Sequence, residues 1–247
     1  LEPPQVLKDT LKKLINDDPP MLHGYMANAG YPEVRTCIAE KLKKESGVDI
    51  QGSNVVMTVG ASGALNVVYK TLLNPGDEVI LFAPIFVDYK FYIQNYGGIV
   101  KMLPPNLPTF QPDPEVLYEA ITPQTKAIML NSPNNPTGVV YSESVLKQLA
   151  EKIEMREKEF GTTIFVVSDE PYRSISFDQV KVPSMLKIFK NAIIVNSFSK
   201  SHSLPGERIG YVAASPNIEK IDLLMNGLIF SHRVLGFINA PSLFQKI

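Results

Sequence analysis

The chain has 247 residues, 45% of them hydrophobic, and a formal net charge of −1 at neutral pH. That length can bury a sizeable core, and so balanced a charge offers no broad field for nucleic acid or an anionic membrane surface. The single cysteine, Cys37, excludes an internal disulfide framework and fits a reducing cytoplasm, and no Cys/His cluster has metal-ligand spacing, so no metal site is expected.

No apolar run approaches the roughly 18 to 20 residues that span a bilayer, and Leu1-Glu2-Pro3-Pro4 lacks the character of a signal peptide. The chain starts without methionine and ends inside an apolar, helix-like segment, Ser242 to Ile247, so a fragment of a longer protein is expected.

Residues 5–17 place Val6, Leu7, Leu11, Leu14 and Ile15 at helical spacing, and Asp17-Asp18-Pro19-Pro20 ends that helix because proline cannot supply the next N–H. A loop carrying Tyr25 and Gly30 follows. A second helical pattern covers 32–46, with Pro32 suited to a first turn and Gly47 to a stop. Val55 to Val59 reads as a buried strand running into Gly60-Ala61-Ser62-Gly63 and a helix through Leu73. Small residues in that turn leave backbone N–H groups at a helix N-terminus, which favours a phosphate; equally, they suit any tight strand–helix turn.

Glu78 to Phe82 is the next predicted strand, and Ala83-Pro84-Ile85-Phe86-Val87-Asp88-Tyr89 begins a helix. A strand over 98–103 leads through a proline-rich surface connection to a helix over 115–121. Lys126 to Leu130 is a strand that runs into Asn131-Ser132-Pro133-Asn134-Asn135-Pro136-Thr137-Gly138. An amphipathic helix follows over 142–160, its charges a solvated face.

The strand over 162–167 delivers Ser168-Asp169-Glu170-Pro171-Tyr172-Arg173, and two carboxylates at a strand end invite acid–base chemistry. A loop with a short helix over 177–190 precedes two more strands, 192–195 and 209–214. Between them lies Asn196-Ser197-Phe198-Ser199-Lys200 to Arg208, a polar loop able to hold a buried amine. A helix is expected from Ser215-Pro216 to about Leu228.

Seven apolar strands alternating with helices predict an α/β fold with a mainly parallel sheet, in which ligand groups gather beyond the carboxyl ends of strands. Ser62, Asn135, Asp169 and Lys200 each follow a predicted strand.

Ser197-x-Ser199-Lys200 with Arg208 eight residues on resembles the lysine segment of the fold-type I pyridoxal phosphate (PLP) enzymes, the aspartate aminotransferase-like class I/II group. Asn135-Pro136-Thr137-Gly138 and Asp169-x-x-Tyr172 resemble two further family segments, in the family's order. A third, Tyr25 with Gly30 and Val34-Arg35, has valine for the family's leucine. The resemblance covers about residues 20 to 215 and implies a three-layer α/β/α fold with a mainly parallel seven-stranded sheet. It implies that residues 1–247 are the PLP-binding large domain, with the C-terminal small domain and an N-terminal segment absent.

By this resemblance Lys200 forms a Schiff base with PLP and, once freed, moves a proton; Asp169 pairs with the pyridine nitrogen. Asn135 and Tyr172 hydrogen-bond the ring's hydroxyl oxygen, and Phe86, two residues past Pro84, covers a ring face. Arg208, Ser197, Ser199 and the Ala61-Ser62 turn hold the phosphate, and Tyr25 reaches the phosphate of a neighbouring subunit. An asparagine amide donates without carrying charge, and a carboxylate is the expected partner of a protonated ring nitrogen that makes the ring an electron sink.

The implied activity is transfer of an amino group from an L-amino acid to a 2-oxo acid by a cytoplasmic homodimer, with no nucleic acid or membrane partner. Two alternatives stay open. Leu204-Pro205-Gly206 also matches aminocyclopropane carboxylate synthase-like enzymes, so a β-eliminating or cyclising lyase fits, as does a non-catalytic PLP-binding sensor domain. The family's substrate-carboxylate arginine lies in the small domain, so the donor amino acid is not legible here. His202 and His232 read as loop or interface histidines, and Glu170 as structural.

Overall fold

The computed structural model describes residues 2–247. Its strands are β1 Val55–Val59, β2 Glu78–Phe82, β3 Ile99–Leu103, β4 Thr125–Asn131, β5 Phe165–Asp169, β6 Ala192–Ser197 and β7 Ile209–Ala214. The helices are α1 Gln5–Asp17, α2 Pro32–Ser46, α3 Gly60–Leu72, α4 Asp88–Gln94, α5 Pro114–Ala120, α6 Glu143–Phe160, α7 Met185–Ile188, α8 Phe198–Ser201, α9 Ile221–Val234 and α10 Ser242–Gln245. One sheet takes the order β1-β7-β6-β5-β4-β2-β3. The pairs among β2 to β6 are parallel, and β7 runs antiparallel to both β6 and β1.

Strand alternation sorts side chains onto two cores, because successive residues of an extended chain face opposite sides of the sheet. Ile80, Ile128, Val166 and Ile194 pack with α2, α5 and α6. Leu81, Met129, Val167 and Val195 pack with α3, α4 and α9. The sheet is thus covered on both faces, the three-layer arrangement expected. Side-chain caps set some helix starts: Asp113 accepts from the N–H groups of Glu115 and Val116, and Ser142 from that of Val145.

Four local expectations are corrected. The strand expected at 162–167 is Phe165–Asp169, since Gly161 ends α6 in a left-handed turn and the Glu157 carboxylate takes the N–H of Ile164 at 2.7 Å. Asp169 is therefore the last residue of the strand. The helix expected at Pro84 begins at Asp88; Ala83 N–H still pairs with Leu103 O, and the chain then leaves β2 through a bend at Ala83-Pro84. The helix expected at Ser215 begins at Ile221, because Ser215 Oγ holds a turn through the N–H of Asn217 and Lys220 is left-handed. His232 lies within α9 and is fully buried, not in a loop.

Candidate active site

The carboxyl ends of β1, β4, β5 and β6 and the start of β7 lie along one edge of the sheet. Register decides which residues meet there: Val59 pairs with Ile209 and Ser197 with Gly210. Gly60, at the N-terminus of α3, thereby comes against Arg208. A side-chain carbon placed on Gly60 would stand 2.8 Å from Arg208 Nη2, and Gly60 has φ +67°, so only glycine fits without strain. Ala61 and Ser62 occupy the half-buried first turn of α3. Arg208 is itself left-handed, its Nη1 donating to Pro205 O at 2.9 Å, and exposed. A guanidinium beside the free N–H groups of a helix start is an anion seat. Ser197 is buried and Ser199 half-buried at the same corner.

Asp169 is 6% exposed at the end of β5. Its Oδ2 accepts from the Tyr89 hydroxyl at 2.7 Å, while Oδ1 is buried with no partner among the described residues. Burial pushes its carboxyl up to about 6, against the pull of the Tyr89 hydrogen bond. Burial and the neighbouring carboxylate hold the Tyr89 phenol well above its ordinary value. A carboxylate oxygen in this state can accept from a cationic N–H, which would hold it ionised.

Asn131 ties this carboxylate's strand to the next loop: its Nδ2 donates to Asp169 O at 2.8 Å and its Oδ1 accepts from the N–H of Asn135 at 2.7 Å. The Asn135 amide itself makes no side-chain hydrogen bond among the described residues and borders an open groove of about 720 Å³ together with Tyr172, Val139 and Ile175. Tyr172 is half-buried, and burial, then Asp169, raises its phenol. Lys200 Nζ stands 5.9 Å from the Tyr172 ring centroid.

The loop able to hold a buried amine leaves the Lys200 amine at the surface. Residues 198–201 form the short helix α8, and Lys200 is exposed at its edge. Phe86 is half-buried in the loop leading to α4, edge-on to Tyr89 with centroids 5.5 Å apart. Tyr25 stands apart from this cluster, 86% exposed and without a side-chain hydrogen bond among the described residues.

His202 is half-buried beside Phe198, its imidazole lowered by burial. Glu170 turns away to Arg173 and Ser168. Sequence reasoning missed Tyr89 and Asn131. A polar residue ending an apolar strand was the available signal for Asn131; Tyr89 gave none. Among the described residues, no group of three or more His, Cys, Asp or Glu side chains could hold a metal ion, and no helix is long and apolar enough to cross a membrane.

The sequence profile of aminotransferase class I and II matches residues 2–239. The chain is 39% identical over 198 residues to a probable aspartate/prephenate aminotransferase of Thermus aquaticus, covering 79% of this chain and 50% of that protein. It is 34% identical over 218 residues to a probable N-acetyl-LL-diaminopimelate aminotransferase of Bacillus subtilis, covering 88% and 53%. The chain spans about half the length of the curated relatives it matches. An amino transferase crystal structure from Eubacterium rectale superposes with a TM-score of 0.97 at 40% identity, over 100% of this chain and 62% of that one. Thermus thermophilus aspartate aminotransferase with maleate gives 0.87 at 30% identity, over 100% and 60%. With a profile match across almost its full length and relatives of this identity, the chain belongs to the aminotransferase class I and II family, whose enzymes depend on pyridoxal phosphate.

Proposed function

We propose that residues 1–247 are the PLP-binding large domain of an aminotransferase that moves an amino group from an L-amino acid to a 2-oxo acid. The observation that carries the reading is the Asp169 carboxylate, buried at a strand end with Oδ1 unpartnered among the described residues and Oδ2 held by Tyr89. A lone buried carboxylate oxygen is costly unless a donor meets it, and a protonated pyridine nitrogen is such a donor. The anion seat at Gly60 and Arg208 suits the cofactor's phosphate, which supports the same fit.

In this reading Arg208, the Ala61-Ser62 turn, Ser197 and Ser199 bind the phosphate, fixing the ring's orientation. Phe86 covers one ring face and excludes water from it. Asn135 and Tyr172 donate to the ring's hydroxyl oxygen. When bound, PLP supplies a carbonyl that takes up amines and a ring that accepts the electron pair of the substrate's Cα–H bond. Asp169 Oδ1 holds the proton on the ring nitrogen. Lys200 Nζ holds the cofactor at rest and carries the proton from the substrate Cα once free.

The names of the relatives favour transfer over elimination. The same proposal makes the protein a homodimer whose exposed Tyr25 serves the neighbouring copy's phosphate, in a reducing cytoplasm that suits the lone, exposed Cys37. The test is an absorbance titration of the purified chain with PLP, followed by a screen of amino-acid donors, each with a 2-oxo acid acceptor, on the full-length protein. A visible band on binding and a keto-acid-dependent turnover are expected. Absence of the band refutes the cofactor assignment, and turnover that needs no 2-oxo acid refutes transamination.

A further inference from the structure

Asp169 and Glu170 are consecutive at the end of β5 and face opposite sides of the sheet. Asp169 meets Tyr89 of α4, and Glu170 lies on the α2 side. Three residues on the split recurs: Tyr172 lies near Lys200, while Arg173 lies against Glu170. Glu170 is 3% exposed; its Oε1 accepts from Ser168 Oγ at 3.0 Å and its Oε2 stands 3.4 Å from Arg173 Nη1. The same guanidinium donates to Pro183 O at 2.9 Å and Val182 O at 3.2 Å, and its Nε lies 3.5 Å from Glu45 Oε2 on α2.

Past Glu170, little else holds this turn. Pro171 has no N–H to give, and every residue from Ser174 to Lys181 is exposed. The backbone ties Glu170 N–H to Val195 O of β6 at 2.8 Å, but beyond it contributes only turn bonds, Arg173 N–H to Glu170 O, Ile175 N–H to Tyr172 O and Val180 N–H to Phe177 O. Between buried Pro171 and buried Val182, the Arg173 side chain is the anchor that reaches the body of the protein.

We propose that Glu170 and Arg173 are a positioning pair: from the far side of the sheet they clamp the 169–173 turn and so set where Asp169 and Tyr172 stand relative to Lys200. The proposal rests on the PLP reading above. Neither residue touches the site, so their effect passes through the backbone of the turn.

The test uses the full chain and three variants, Arg173→Met, Arg173→Lys and the double variant E170Q/R173M. Three quantities are read: urea unfolding without PLP, the PLP dissociation constant, and the circular dichroism of the visible band, which reports the angle of the bound ring. Arg173→Met strands a buried carboxylate and is expected to weaken both folding and PLP affinity, the latter about tenfold or more. E170Q/R173M removes both charges, so its urea midpoint should return toward the parent's while PLP affinity stays low and the visible dichroism stays altered. Arg173→Lys keeps the charge but a single ammonium cannot serve two carbonyls and two carboxylates, so about a threefold loss is expected.

A double variant that regains parental affinity and dichroism along with its midpoint overturns the proposal, since the pair then serves the fold alone. Should Arg173→Met or the double variant fail to fold, parental affinity and dichroism in Arg173→Lys overturn it equally. A parent chain that shows no visible band with PLP defeats the cofactor reading and this proposal with it, before any variant is made.

Discussion

Replacing Tyr89 with phenylalanine removes one oxygen and leaves the ring, so it isolates the hydrogen bond to Asp169 Oδ2 at 2.7 Å. Burial raises the Asp169 carboxyl from its ordinary 3.8 to about 6 in the fold. With the folded value above the unfolded one, the stabilisation that Asp169 contributes is fully present below 3.8 and is lost as pH rises through about 6. At about 1.4 kcal/mol per pH unit of raised value, holding the ion in the fold at pH 8 costs about 3 kcal/mol. The Tyr89 hydroxyl offsets part of that cost, because a hydrogen bond to a charged group is worth about 1.5–3 kcal/mol and one between neutral groups about 1.

Urea unfolding of the cofactor-free chain should therefore show Tyr89→Phe less stable by about 2–3 kcal/mol at pH 8 and by only about 1 kcal/mol near pH 4.5. Carboxyl-carbon NMR should place the Asp169 titration higher in the variant than in the parent. Glu170, also raised by burial, to about 7, titrates in both proteins and cancels in the difference. A loss of stability independent of pH, or an unmoved Asp169 titration, would refute the reasoning.

Lys200→Ala should abolish the visible band with PLP while changing stability by no more than about 0.5 kcal/mol, since the side chain is exposed; a retained band in the spectrum contradicts the assignment of Lys200. Gly60→Ala, at φ +67° and within 2.8 Å of Arg208 Nη2, should cost about 1–2 kcal/mol in urea unfolding and weaken inorganic phosphate binding by calorimetry. Asn131→Ala strands the Asp169 carbonyl and the Asn135 N–H, and urea unfolding should show a loss of about 2–3 kcal/mol, with weaker PLP binding by absorbance titration.

Local chemistry explains what could be read in advance. Apolar runs marked all seven strands, and Gly47, Ser142 and the Pro19-Pro20 pair marked helix ends near where they fall. Boundaries drifted where a distant partner intervened. β5 begins at Phe165 because that residue registers against Ala127, and the helix after β2 starts late because Leu103 accepts the Ala83 N–H. Arg208 and the Gly60-Ala61-Ser62 turn could be suspected of phosphate chemistry from type and spacing, but the approach of Arg208 to Gly60 depends on β1 lying antiparallel to β7.

Residue types and their order by themselves determined an α/β chain with phosphate-friendly turns, a lysine between two strands and a carboxylate at a strand end, because each of these is a property of a few adjacent residues. Tertiary structure alone decided the state of that carboxylate. Tyr89 reaches Asp169 from another layer of the fold, 80 residues away in sequence, and leaves one oxygen of the buried group without a donor among the described residues. Lys200, in a loop able to hold a buried amine, is exposed, and Arg173, given no role by the sequence, holds the turn from behind. Burial and hydrogen-bond partners are sums over elements far apart along the chain, so they exist only once the sheet and its two cores have assembled.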